Sequence, residues 1–181
     1  MIRPLTFAAL AAALVAPSAR AQTPAPVSDT LFAAAAADGG LIELTMAELG
    51  VQKATDPALK KFSQEMVQAH TKMNAQLMAL AAQKNVPLPK TIDVRAQFCG
   101  QSLAGLSGEE FDRCYSKAQL LIHMESVSTF EAEAERGQDP DMKALAAKAL
   151  PHIKDHLKEI KPIAMKYEKE KPSTAGAHSE K

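Results

Sequence analysis

The sequence predicts an all-α fold: four long amphipathic helices with one long crossover in the middle. Three observations predict it. The 181-residue chain is 46% hydrophobic but only 4% aromatic, with no Trp. Its core must therefore come from Ala, Leu, Met and Ile, which favour helices over strands. Apolar residues recur at helical spacing through four segments. Asp56-Pro57 and Asp139-Pro140 each pair a good N-cap with a residue whose missing N–H is no loss in a first turn. The length suits one domain.

The N-terminus reads as a signal peptide, residues 1–21. Arg3 precedes an uncharged run from Leu5 to Ala16, and Ala19-Arg20-Ala21 offers a small-x-small cleavage site. The run is too short for the ~30 Å of a bilayer core. No later stretch reads as long enough to span, so the expectation is a soluble, exported, periplasmic chain with no transmembrane segment. Cleavage removes Arg3 and Arg20, leaving 19 of the 21 basic residues against 21 acidic ones. That balance gives no footprint for nucleic acid and no basic face for an anionic membrane. No protein partner can be read from it.

Residues 22–28 form a Pro-rich leader, and the bundle domain is expected over 29–168. The first helix is expected over 30–53, with Leu31, Ala35, Ile42, Met46 and Leu49 as its apolar stripe and Gly39-Gly40 allowing close approach of a neighbour. The second starts at Asp56-Pro57, carries Leu59, Phe62, Met66, Met73, Leu77 and Leu80, and stops at Asn85 before Val86-Pro87-Leu88-Pro89. A connection over 86–106 holds a short helix near 94–103. Ser107 and Glu110 have the spacing of a capping box for a third long helix over 108–136, closed by Gly137. The fourth begins at Asp139-Pro140; Pro151 and Pro162 are expected to kink or break it. The polar tail, 169–181, is expected to be disordered. Two hairpins joined by one long crossover make the ferritin-like variant of the four-helix bundle.

Three stretches carry a family resemblance: GGLIELTMAELGVQKATDPALKKFSQEMVQAHTKMNAQLMALAAQKNVPLP, LSGEEFDRCY and GQDPDMKALAAKALPHIKDHL. They resemble the family called domain of unknown function 4142, over about Leu31 to Met165. The resemblance implies an exported bacterial protein with a ferritin-like bundle and no assigned activity. The frequent description of its members as predicted outer membrane proteins implies peripheral association with that membrane, although no spanning-barrel pattern occurs here. The family pattern places Asp before the His of the second and third long helices; Ala69 and Ile122 stand there in this chain.

Placed at 100° per residue, one polar side chain of each long helix turns inward: Glu43, His70, His123 and His156. His152 falls nearer the edge of its helix. Buried imidazoles and carboxylates need partners, and a transition metal (Zn, Fe or Cu) would satisfy several at once. Ligation by imidazole alone predicts affinity falling below about pH 6.5. The alternative is a set of hydrogen-bonded core residues at different heights in a metal-free envelope interaction module. The Glu-x-x-His pairs of di-iron bundles are missing. Met46, Met66, Met73 and Met124 could offer thioethers to Cu(I), or simply fill the core. Cys99 and Cys114 flank one loop and, in an oxidising compartment, are expected to form a disulfide worth roughly 3 kcal/mol; two free thiols are the alternative. No nucleophile elbow or phosphate loop is present, so no catalytic residue is assigned.

Overall fold

Short polar side chains start the helices. The computed structural model describes residues 27–169, so the expected signal peptide, most of the leader, and the tail beyond Lys169 lie outside the described residues. Ser28 accepts from the Leu31 N–H at 3.4 Å and opens α1, Asp29–Lys53. Asp56 accepts from Ala58 at 2.8 Å and opens α2, Pro57–Gln83. Asp93 accepts from Ala96 at 2.7 Å and opens α3, Val94–Ala104. Asp139 accepts from Asp141 and Met142, each at 3.0 Å, and opens α5, Pro140–Lys169. The exception is α4, Gly108–Arg136: the expected capping box does not form, and Ser107 makes no side-chain capping bond. Gly108 takes a left-handed φ of 59° there, which carries the Ser107 hydroxyl away from the first-turn N–H groups. Among the described residues there is no strand.

The four long helices form a ring in the order α1–α2–α5–α4. Each is antiparallel to its two neighbours, as cross-contacts at both ends show. In the first hairpin Asn74 donates to the Gly40 carbonyl at 2.9 Å. In the second, Arg113 donates to the Tyr167 carbonyl at 2.5 Å and Lys154 pairs with Glu131 at 2.6 Å. Phe32 meets Phe130 edge-on at 5.2 Å between α1 and α4, and Lys61 of α2 and Lys84 at its C-cap pair with Glu159 and Asp141 of α5. Helices α2 and α4 therefore run the same way on opposite corners. Only a crossover as long as 84–107, with α3 in it, can join them.

The buried face of α1 is rotated from the expected stripe. Leu31 is 71% exposed, and the inward set is Phe32, Ala33, Ala36, Ala37, Gly40, Glu43, Met46, Ala47 and Gly50. Small residues bring neighbouring chains close: a Cβ at Gly40 would collide with Asn74, and one at Gly50 with Ser63 and Tyr115. By length and composition alone α1 could cross a membrane, contrary to the reading above; here 44% of its apolar window is buried in the protein. Pro151 and Pro162 do not break α5, which is continuous over 30 residues. Both prolines and Ala147, whose carbonyl Pro151 leaves unpaired, face solvent, where water can satisfy the freed groups.

Two apolar clusters fill the ring. One contains Met46, Leu59, Phe62, Met66, Phe111, Tyr115 and Ile160. The other contains Phe32, Ala33, Ala36, Leu77, Phe130, Met142 and Ile153. At the far end of the second cluster Glu133 is buried beside Asp29. The Asp29 carboxylate accepts from the Gln138 and Asp139 N–H groups at 2.8 and 3.0 Å. Burial, then the neighbouring Asp29 carboxylate, push Glu133 up from 4.5 to about 7. The folded state thus holds a proton that the unfolded state releases. The stabilising effect is complete below pH 4.5 and is lost as pH rises to about 7. Thermal melts of Glu133→Gln should lose that slope and gain about 1–3 kcal/mol over the parent at pH 8. Parallel pH profiles of variant and parent would contradict this.

Candidate metal centre

Between the two apolar clusters lies one polar layer, to which each long helix contributes. On α1 Glu43 falls between Ala37 and Met46; on α2 His70 falls between Met66 and Leu77; on α4 His123 falls between Tyr115 and Phe130; on α5 His156 falls between Ile153 and Ile160. The four are at one height. Ring centroids are 6.2 Å apart for His70–His123, 6.0 Å for His70–His156 and 5.7 Å for His123–His156. One ligating nitrogen from each histidine lies within 4.8 Å of the other two.

At His123 a lone pair is available. His123 Nδ1 lies 2.9 Å from the Gln119 carbonyl, an obligate acceptor, so the proton is on Nδ1 and Nε2 keeps its lone pair. His123 Nε2, His70 Nε2 and His156 Nδ1 are all buried with no hydrogen-bond partner in the protein. Desolvation, and then the other rings, push His70 down to about 3. Desolvation takes His123 to about 4 despite the Gln119 carbonyl, and His156 is lowered chiefly by desolvation and then by His152. At neutral pH all three imidazoles are neutral, as ligation requires. Burial thus favours the neutral, ligating form of each ring.

Glu43 stands apart from the three nitrogens. Its Oε1 is 3.2 Å from His123 Nδ1, on the protonated side of that ring. The Nδ1–H is directed at the Gln119 carbonyl, and both Glu43 oxygens lack a donor. Burial raises the Glu43 carboxyl well above its ordinary 4.5, partly offset by the Gln119 side chain. Behind it runs a polar string that the helical-wheel reading missed. The Gln119 amide donates to Tyr115 Oη at 3.3 Å, and Tyr115 and Ser63 hydroxyls lie 2.8 Å apart. Ser63 gives its own proton to the Leu59 carbonyl at 2.8 Å, so Tyr115 donates to Ser63. Spacing held the signal: Tyr115, Gln119 and His123 follow one another every four residues on one face.

A cavity of about 1090 Å³ adjoins the layer, walled by Ile42, Met46, Met73, Leu77, Phe130 and Ile153 and reached by all three histidines. Exposed residues line it on two sides: Lys72, Lys148 and His152 at the α2–α5 seam, and Arg95, Lys117 and Leu121 where α3 crosses α4. Cys99 and Cys114 belong to the second rim. The expected disulfide is not formed; both are free thiols. Of α3 only Ala96 and Leu103 are buried, and it leaves Cys114 turned to solvent while Cys99 is half-buried. Burial raises the Cys99 thiol, with Arg95 opposing and Cys114 reinforcing. The methionines do not converge. Met46 and Met66 sit in the first cluster, Met73 borders the second, and Met124 is 54% exposed.

The sequence profile described as "Domain of unknown function (DUF4142)" matches residues 14–163. No curated protein gives a significant sequence match. Among solved structures, the fold is similar to "Crystal structure of DUF305 fragment from Deinococcus radiodurans", with a TM-score of 0.68, 11% identity, and coverage of 79% of this chain and 99% of that one. It is also similar to "CopM in the Cu(II)-bound form", with a TM-score of 0.64, 18% identity, and coverage of 78% and 99%. At such identities the likeness is one of fold.

Proposed function

This chain belongs to the DUF4142 family, and we propose that it is an exported, ferritin-like helical bundle holding one transition-metal ion on His70, His123 and His156. The observation that carries the reading is the convergence of two buried imidazoles and the half-buried His156, one ring nitrogen of each within 4.8 Å of the other two, with an unpartnered buried nitrogen on every ring. Unsatisfied polar atoms in a protein interior are rare and cost about 1–3 kcal/mol each; one ion would satisfy three. Metal–nitrogen bonds of about 2.0–2.1 Å call for nitrogens roughly 3.3 Å apart. The rings must draw inward, and the half-buried His156 has the freedom to do so.

Glu43 fits the role of orienting partner rather than ligand. Burial favours its neutral form; beside a dication it would ionise more readily, balance the charge and accept the His123 Nδ1–H. Such carboxylate–histidine–metal arrangements fix the ring and strengthen the ligand. Among the three candidate metals the donor set favours copper(II). Imidazole suits it, the divalent affinity order peaks at copper, and a structure of similar fold is described as Cu(II)-bound. Iron at a di-metal site is disfavoured, since no carboxylate joins the nitrogen cluster. Free thiols lie at the cavity rim, outside the cluster.

Elemental analysis of untagged protein purified from the periplasm tests this. The expected result is about one copper or zinc per chain, retained through dialysis and lost in His70→Ala. A metal-free wild type that takes up neither ion on titration would overturn the reading. The metal-free interaction module would then be the better one.

A further inference from the structure

We propose that His152 and His156 form an entry site at the α2–α5 seam, where an incoming copper(II) ion is captured before it passes to His70 and His123. The proposal rests on the metal reading above and adds a route to it. His152 and His156 are four residues apart on α5, which puts both on one face a single turn apart, with Cβ atoms about 5–6 Å from each other. That spacing lets two imidazoles chelate one ion. His152 is exposed, His156 is half-buried, and both line the cavity that reaches the polar layer.

Of the two rims, this one carries an exposed imidazole, and here the layer is least covered. Towards α1 and α4 it is closed by Glu43 and His123, each 1% exposed. Towards α2 and α5 it presents His70 at 6% and the half-buried His156. His156 is thus the one ring that belongs to both sites. Its centroid is 6.0 Å from His70 and 5.7 Å from His123, and His152 lies one turn away from it on the outside. An ion bound by His152 and His156 would keep the second ligand throughout. It would exchange the first, and its waters, for His70 and then His123. No step would then leave a bare cation in an apolar cavity.

Stopped-flow loading with copper(II), followed by competition with a chromophoric chelator, tests the route on the mature full chain. His152→Ala should slow both loading and release about ten-fold, because capture at the rim raises the local ion concentration. The equilibrium dissociation constant should move less than about three-fold, since entry and exit share the route. Cys99→Ser, at the opposite rim, should leave the rates unchanged. An unchanged loading rate in His152→Ala overturns the proposal, as does slowing confined to Cys99→Ser. A loss of affinity in His152→Ala as large as in His70→Ala also overturns it, by making His152 a ligand of the inner site. A wild type that binds no copper fails earlier, at the metal reading itself.

Discussion

Saturating copper(II) should raise the melting temperature of the mature chain by about 5–10 °C, and His70→Ala or His123→Ala should abolish the rise. An ion at a hundred times its dissociation constant stabilises the native state by about 2.7 kcal/mol, and a chain of this size gains roughly 2–4 °C per kcal/mol. Glu43→Gln should keep a smaller rise, because it removes an orienting partner rather than a nitrogen ligand; affinity should fall about 10- to 100-fold. The same site should be a burden when empty. Glu43→Leu removes a carboxyl that is 1% exposed with both oxygens unpartnered, so the metal-free variant should be more stable than the metal-free parent by about 1–3 kcal/mol. Differential scanning fluorimetry with and without copper, and with chelator, reads all four variants. If His70→Ala keeps the full copper shift, the three-histidine site is not where the ion binds. If Glu43→Leu destabilises the metal-free chain, Glu43 is a satisfied structural residue.

The helix register was legible where a residue type has one physical reason to occur. Asp56 and Asp139 before proline mark helix starts because no other element uses that pair so well, and both side chains cap as expected. The inward histidines were legible for a related reason. Helical geometry alone sends 70, 123 and 156 to the apolar side of their helices, but it says nothing of height. Their common layer depends on the antiparallel ring, which makes 70 and 156 level across α2–α5 just as it makes 84 and 141 level. Residues whose role depends on a neighbour's surface escaped. The α1 stripe was misplaced because Ala and Gly, weak on any hydrophobic scale, form the face that packs most closely on α2. Gln119, Tyr115 and Ser63 show no joint role in the sequence; only the fold sets them in line behind Glu43. The thiol pair was misjudged because sequence nearness of two cysteines to one loop leaves open which way each helix turns them.

Asp112→Ala should cost about 3–5 kcal/mol of folding stability and lower the melting temperature by roughly 6–20 °C. Asp112 is 1% exposed on α4 and receives the Thr55 and Asp56 N–H groups at 3.0 and 2.9 Å, together with the Thr55 hydroxyl. These are the groups of the turn between α1 and α2. Beyond that turn, Asp56 caps α2 and accepts from Lys166 and from the Tyr167 hydroxyl of α5, each at 3.0 Å. One carboxylate therefore ties α4 to the first hairpin, and through Asp56 the tie reaches α5. Truncation would leave two backbone N–H groups without acceptors in a part-buried turn; each such loss is worth about 1–3 kcal/mol. Asp112→Asn should fall between, since its amide keeps one acceptor oxygen for two N–H groups. The damage should spread to the metal layer only through global unfolding, because Glu43, His70 and His123 are held by other contacts. Chemical denaturation of the chelator-treated chain should show a lower midpoint with an unchanged m-value, and copper should still shift the melting temperature of Asp112→Ala upward. A cost under about 1 kcal/mol would mean that water replaces the carboxylate in the turn, and that the ring is held by its apolar clusters alone.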